Sequence, residues 1–365
     1  MNAQDIFNEE LVQESQIASI QNKCPGCGAN MSFDISSGNL KCNHCATTKD
    51  LNDQERVTRR KITDEVLNSH KKWTEGRVHQ CENCGSKEVA AKGALSVKCA
   101  FCGSNKVAEI SELPGIRPDS VVPFRLTKQN AENQFKSWLK GKFLAPKSIK
   151  RENIYKEINS VYTPVWSLSA ATVNRYHGTI GRTVTRTVGA GQNRRTVVTV
   201  RWFRVNGVIN REYLDNLYQS GGRVAGRTFN LLKPYNLNDL KVYRPEYLSG
   251  LVAEHYSKTL DQCIGEFAGS IRRDISNLII RRYMADQVGH LAIDTQYNNK
   301  RFNYMLLPVY VSLYEYKGKR YNFYINGQTG RVSGQYPKSF AKITSISLLT
   351  LAILGGIGFA IMRFL

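Results

Sequence analysis

CPGCG, residues 24 to 28, and CNHC, residues 42 to 45, set four cysteines in the order Cys-x2-Cys-x14-Cys-x2-Cys. The pattern returns: CENCG brings Cys81 and Cys84, CAFCG brings Cys99 and Cys102, and the same 14 residues separate the two pairs. Two thiolates two residues apart grip one ion from a tight turn, and two such knuckles complete a closed all-sulfur tetrahedron suited to zinc. Cys24, Cys27, Cys42 and Cys45 are thus expected to hold one Zn2+, and Cys81, Cys84, Cys99 and Cys102 a second. Gly28, Gly85 and Gly103 follow the second cysteine of three of the pairs and relieve the strained backbone of the knuckle. Each ribbon is too small to build a core without its ion, and a closed site makes the metal architectural rather than catalytic.

The competing chemistry is disulfide formation. The opening MNAQDIFNEE has neither the basic start nor the apolar run of a secretory signal, so a reduced, cytosolic setting is expected. His44 and His79 stand beside quartets that are already full and read as bystanders. The ninth cysteine, Cys263, follows the spacing of Leu260, Ile264 and Phe267 and reads as a small buried hydrophobe on a helix.

The 365 residues allow two or three domains, and 41% hydrophobic content is enough for a core. Lysine and arginine number 51 against 30 aspartates and glutamates, a formal charge of +21. Such an excess calls for an anionic partner: nucleic acid, lipid headgroups or an acidic protein face.

One end of the chain points to a membrane. Residues 343–362, ITSISLLTLAILGGIGFAIM, are 20 residues without a charge, long enough to cross a hydrocarbon layer of about 30 Å as a helix. Lys338, Lys342 and the whole basic body precede this segment, so the positive-inside rule leaves the body in the cytoplasm. The expectation is a single-pass tail anchor in the inner (cytoplasmic) membrane. Ala352, Gly356 and Ala360 recur every four residues, a small-residue stripe that would let a second transmembrane helix approach.

Between these ends the chain divides as follows. Residues 1–46 combine an N-terminal helix (Ile6, Phe7, Leu11, Ile17 and Ile20 at helical spacing) with the first ribbon. Residues 47–79 are highly charged and predict an exposed connecting helix, and residues 80–109 are the second ribbon. Residues 113–338 form a mixed α+β body with an antiparallel sheet. In it Thr127 caps a helix bearing Ala131, Phe135, Trp138 and Leu139 on one face, and a longer helix carries Leu260, Ile264, Phe267, Ile271, Ile275 and Leu278 in phase. PVWSL (164–168) and PVYVSL (308–313) lie in strands that each follow a helix, as two copies of one α+β unit would place them. Turns at Lys317-Gly318 and near Asn326-Gly327 close the body.

One stretch stands apart: no acidic residue occurs between Glu157 and Glu212. GRTVTRTVGAGQNRRTVVTVRWFRV alternates Thr and Val about a Gly-rich turn and predicts a protruding hairpin over 175–211. Arg182, Arg186, Arg194, Arg195, Arg201 and Arg204 make it a candidate anion-binding surface, because a guanidinium holds two oxygens at once. A solvated edge whose charges discourage sheet aggregation is the alternative. Neither a phosphate-binding loop nor a metalloprotease, serine-hydrolase or dinucleotide motif is present. The chain is therefore read as non-enzymatic.

The ribbon pairs, together with FKSWLKGKFLAPKSIK, VYTPVWSLSAATVNRYHG, IRRDI and HLAIDTQYNNKRFNYMLLPVYVSLYEYKGKRYNFYINGQTGRV, resemble a bacterial family of membrane-anchored double zinc-ribbon proteins, often labelled primosomal helicase-like. The likeness runs from Cys24 to about Lys338. Such proteins are associated with flotillin-like SPFH proteins and phage-shock-type membrane-remodelling proteins. The resemblance implies an adaptor that recruits or scaffolds a membrane complex in envelope maintenance. A membrane-tethered nucleic-acid binder, using the ribbons and the same arginines, is the other reading.

Overall fold

The computed structural model describes residues 23–51, 55–63, 76–91, 98–110, 116–151, 157–191, 194–224 and 226–364. The helix expected over residues 4–20 lies outside them. The fold is mixed α+β with a largely antiparallel sheet, five described helices, and both cysteine quartets ahead of the body.

The first ribbon has its own three-stranded antiparallel sheet: β1 (Met31–Asp34), β2 (Asn39–Cys42) and β3 (Thr48–Lys49). The second does not stand alone. Its strands β5 (Gly76–Cys81), β6 (Lys87–Ala91) and β7 (Val107–Ile110) continue the body's sheet through β12 (Val252–Glu254), which pairs β6 on one edge and β9 (Asn159–Val188) on the other. The expected boundary after residue 109 is thus crossed by continuous strand pairing.

Three strands dominate the body. Central β9 is flanked by antiparallel β10 (Arg195–Gln219) and β13 (Gln287–Tyr316). At about 3.3 Å per residue, the 30 residues of β9 span roughly 100 Å. The proximal part is buried on both faces, so its sequence is a continuous apolar run rather than an alternation. On one face Tyr162, Leu306, Tyr310 and Tyr314 meet α1 (Lys128–Lys140); Phe135 stacks on Phe323 at 3.7 Å. On the other, Val165, Met305, Leu307 and Val309 meet α3 (Gly226–Leu232) and Cys81, Cys99 and Phe101 of the second ribbon.

Distally, one face of the three strands is covered by α4 (Leu260–Arg282), which buries Leu260, Cys263, Phe267, Ile271, Ile275 and Ile279 against Trp166, Leu168, Tyr176, Ile180 and Val205. Thr259 caps this helix in a reciprocal box with Gln262. Thr127 caps α1 as expected, accepting the Asn130 amide at 3.3 Å. The body closes through β14 (Lys319–Asn326) and β15 (Val332–Gly334); Lys317 and Gly318, both at positive φ, form the first turn.

Part of the linker departs from the helix expected over it. Among its described residues, 47–51, 55–63 and 76–79, none is helical, and residues 52–54 and 64–75 lie outside the described residues. Residues 60–61 form β4 (Arg60–Lys61), paired with Arg301 and Phe302 of β13, and Arg59 binds Asp215 through both carboxylate oxygens. The reason lies in the long strands. Near Asn298/Arg301 and Tyr213/Asn216 the register slips by a bulge on either side of β9. The unpaired backbone and the Asp215 carboxylate at these bulges give the linker partners there: the Ile62 amide donates to the Lys300 carbonyl at 3.1 Å, and Arg59 binds Asp215.

The two halves of the body share one order: short strand, helix, long strand, hairpin strand. β8 (Ser120–Val121) runs parallel to β13 at Met305 and Leu306 and antiparallel to β11 (Lys241–Val242) on its other edge, and β12 runs parallel to β9 at Val161 and Tyr162. Pro164 pairs with Leu306 and Pro308 with Tyr162. The prolines are 144 residues apart (308 − 164), as are Leu306 and Tyr162 (306 − 162). Two copies of one unit about a local two-fold would make this pairing.

Candidate metal centres

Both quartets converge: in each, the four Sγ atoms lie within 4.8 Å of one another. In the first, Cys24 stands 3.4 Å from Cys45 and Cys27 3.5 Å from Cys42; in the second, Cys81 is 3.6 Å from Cys102 and Cys84 3.7 Å from Cys99. These separations are far from the roughly 2.05 Å of a disulfide. The four knuckles share one backbone design. The first cysteine's amide donates to the carbonyl five residues on (Cys24 to Ala29, Cys42 to Thr47, Cys81 to Ser86, Cys99 to Ser104), and its carbonyl accepts the amide four residues on. The fourth-on residue needs a left-handed backbone. Gly28, Gly85 and Gly103 adopt φ of 72°, 69° and 70°, and Ala46 takes the fourth position at 60°, at a cost of about 1–2 kcal/mol for a residue with a Cβ.

Neither His44 nor His79 belongs to a quartet. His44 is exposed, and His79 is buried in β5 opposite Glu88. Cys263 is fully buried under α4, and burial pushes its thiol up to about 12, consistent with a small apolar filler. At the first centre the Thr47 hydroxyl, 3.0 Å from Sγ, draws the exposed Cys45 thiol down to about 6.

The second centre has neighbours that residue spacing did not reveal. Glu88 is buried, with Oε1 3.1 Å from Cys99 Sγ and 3.1 Å from the Ala100 amide that donates to it. Burial holds its carboxyl above the usual range. Directly across the β6–β12 pairing lies Glu254, equally buried. Its Oε1 accepts the Arg223 amide at 2.8 Å, and a Cβ on Gly221 would fall 2.2 Å from its Oε2, so this turn needs glycine to wrap the carboxylate. The repeats themselves held the signal: four residues past the second cysteine, the first ribbon has Met31 and the second Glu88.

Burial pushes Glu254 from 4.5 up to about 7. The unfolded chain releases this proton near 4.5 and the fold retains it to about 7, so across that window the fold binds more protons and stability falls as pH rises. The full loss at neutral pH is about 3 kcal/mol. Glu254→Gln is expected to reduce the fall in unfolding free energy between about pH 5 and 7 in denaturant titrations, the remainder coming from Glu88 and Asp119, whose carboxyls burial also raises. An unchanged slope in the variant would place the titration elsewhere.

The arginine hairpin forms as a continuation of β9 and β10, and its side chains sort by face. Pairing of Arg201 with Arg182, Val197 with Arg186, and Arg195 with Val188 puts four arginines on the face that α4 covers further down; Thr183, Thr185, Thr187, Thr196, Val198, Val200 and Trp202 occupy the other. Arg204, paired with Thr179, falls on the opposite side from Arg182. Arg182 is engaged: Nε and Nη2 donate to the carbonyls of Met284 and Tyr283 at 3.1 and 2.8 Å, just past the C-terminus of α4. Arg186, Arg194, Arg195 and Arg201 are exposed. Trp202 lies over Gly181 and Gly289: a Cβ on Gly181 would fall 2.9 Å from its ring, and one on Gly289 would sit tightly at 3.1 Å.

The last helix, α5 (Phe340–Phe364), contains an 18-residue window, Phe340–Ile357, of mean hydropathy 1.8 with none of it buried. By length and composition it can cross a membrane. Ala352 and Gly356 lie on it with no neighbour that a Cβ at Gly356 would meet; the side chain of Ala360 is outside the described residues.

No family model matches the chain, and no solved structure does. Over 334 residues it is 26% identical to a Bacillus subtilis (strain 168) protein, "Uncharacterized protein YdjG". The alignment covers 89% of this chain and 92% of that one, so the likeness runs through most of both.

Proposed function

We propose that the chain is a non-enzymatic adaptor: α5 anchors it in the inner (cytoplasmic) membrane, two structural Zn2+ ions rigidify its ribbons, and the arginine tip meets an acidic partner in the cytoplasm. The observation that carries this reading is how β13 separates the two ends. At one end Gln287 pairs with Gly181, beside the arginines; at the other the Tyr314 hydroxyl donates to the Gln335 carbonyl, five residues before α5. A rigid sheet of about 100 Å between an anchor and a cationic tip is suited to holding a partner away from the bilayer. Zinc is the metal the geometry favours, since zinc–sulfur bonds of about 2.3 Å give tetrahedral edges of about 3.8 Å, close to the sulfur separations of 3.4–3.7 Å. The resemblance to membrane-anchored double-ribbon proteins supplies the partner class: an SPFH or phage-shock-type membrane protein.

A second reading, a tethered nucleic-acid binder, draws support from the one-sided placement of Arg186, Arg195 and Arg201. Changing Arg186, Arg194, Arg195 and Arg201 to Gln separates the two, and Arg182 is kept because it serves the end of α4. Stability is expected to shift by about half a kcal/mol or less per site. For an adaptor, partner recovery from detergent-solubilised membranes falls while membrane localisation persists. For a nucleic-acid binder, recovery is unchanged and the salt dependence of DNA binding becomes shallower by up to about four in log–log slope.

A further inference from the structure

We propose that the turn joining α1 to α2 (Lys147–Arg151), together with the first turn of α5, is a second membrane contact that seats on the anionic headgroups of the bilayer. The proposal rests on the reading that α5 spans that bilayer. Three observations meet here. The start of α5 is tied to the turn: the Ser339 amide donates to the Leu144 carbonyl at 2.8 Å, and Lys342 Nζ donates to the carbonyls of Phe143 and Ala145 at 2.6 and 2.9 Å. Wherever α5 enters the membrane, residues 143–145 therefore lie at its surface.

Two aromatic rings project beside this junction, Phe143 at 70% exposure and Phe340 at 83%. Their exposure is costly in water and favourable at the headgroup–acyl boundary. Around them stand Lys140, Lys142, Lys147, Lys150, Lys338 and Lys342, and the sequence holds no Asp or Glu over residues 133–151 or after Glu315. Lys342 Nζ also sits 5.3 Å from the Phe143 ring, and Lys142 Nζ lies 4.6 Å from that of Trp138. The lysine stems cover apolar surface while the ammonium groups remain at the level where phosphates would be.

This assigns the lipid contact to the anchored end and leaves the arginine tip for a different partner. The cationic turn also fixes how the body stands on the membrane, which a single helix joined by a flexible linker would not.

The test uses the full chain in nanodiscs of phosphatidylcholine, with and without a third of phosphatidylglycerol, read by hydrogen exchange. Amides over residues 141–147 are expected to exchange several-fold more slowly in the anionic discs, and the slowing to vanish in a Lys140→Gln, Phe143→Ser, Lys147→Gln variant whose α5 remains protected. Equal exchange in both discs, with α5 protected, overturns the contact alone. Slowing at 186–188 and 195–197 in place of 141–147 also overturns it, by moving the lipid contact to the tip. A chain that stays in solution without entering discs overturns the spanning reading and this proposal with it.

Discussion

Two zinc ions per chain are the expected result for protein purified anaerobically, and one for Cys81→Ser. Each quartet offers four sulfurs and no fifth donor from histidine, so loss of one thiolate removes a quarter of the coordination and opens a site that was closed. The binding energy at stake is large: structural zinc in finger-sized peptides corresponds to about 10–16 kcal/mol at neutral pH. The two sites are expected to fail differently. Cys42→Ser should lower the metal content to one and loosen residues 23–51, which meet the body through the Phe33–Tyr247 ring contact at 5.3 Å, the Phe33 amide bond to the Ser249 carbonyl at 2.9 Å and the Arg244 bond to the Leu51 carbonyl. Cys81→Ser should carry further. β6 pairs β12, and Cys81 and Cys99 belong to the same apolar cluster as Val165 and Met305. Hydrogen exchange is therefore expected to accelerate across β5, β6, β7 and β12, while β9 and β13 stay protected between their α1 and α4 contacts. Metal analysis that finds two ions in Cys81→Ser would contradict the ligand assignment. Exchange confined to residues 76–110 would contradict the shared sheet.

The repeated cysteine spacing made the centres legible, because four ligands at fixed intervals have few geometric solutions. The helices were legible too: Thr127 and the Leu260–Ile275 spacing follow from capping and periodicity, which are local. The long strands were not. A strand at 161–173 and a hairpin over 175–211 read as two elements, whereas β9 runs unbroken through both, past Gly178 and Gly181. In the fold these glycines make room for the His290 carbonyl and the Trp202 ring, an arrangement set by neighbouring strands. Residues 55–63 of the linker differ for a similar reason: their charges suit a solvated helix, whereas Asp215 holds Arg59, Asp119 holds Arg60 and the Lys300 carbonyl holds the Ile62 amide, partners set by distant strands. Glu88 and Glu254 were passed over because acidic side chains are almost never fully buried unless paired, and nothing in a lone chain of letters places two of them face to face.

The second large effect concerns α5. Ten of the 20 residues at 343–362 are Leu, Ile or Phe, worth roughly 3–6 kcal/mol toward insertion on a biological scale, with no charge to oppose them. The body contributes little to holding this helix, since none of its apolar window is buried and its described hydrogen bonds to the body are those of Ser339 and Lys342 to the carbonyls of Phe143, Leu144 and Ala145. Removing residues 340–365 should therefore leave β9, β13 and both metal centres in place. The membrane contact of the α1–α2 turn, a few lysines and one phenylalanine, is too weak to retain the body by itself in high salt.

Fractionation of that truncated chain tests most directly whether the body hangs on a single membrane helix. The expected result is a folded protein with two metal ions, found almost wholly in the soluble fraction after a high-salt wash, while the full chain pellets with membranes until detergent is added. A truncated chain that still pelleted in high salt would contradict the single-helix anchor and show that the body is held at the membrane by something other than α5.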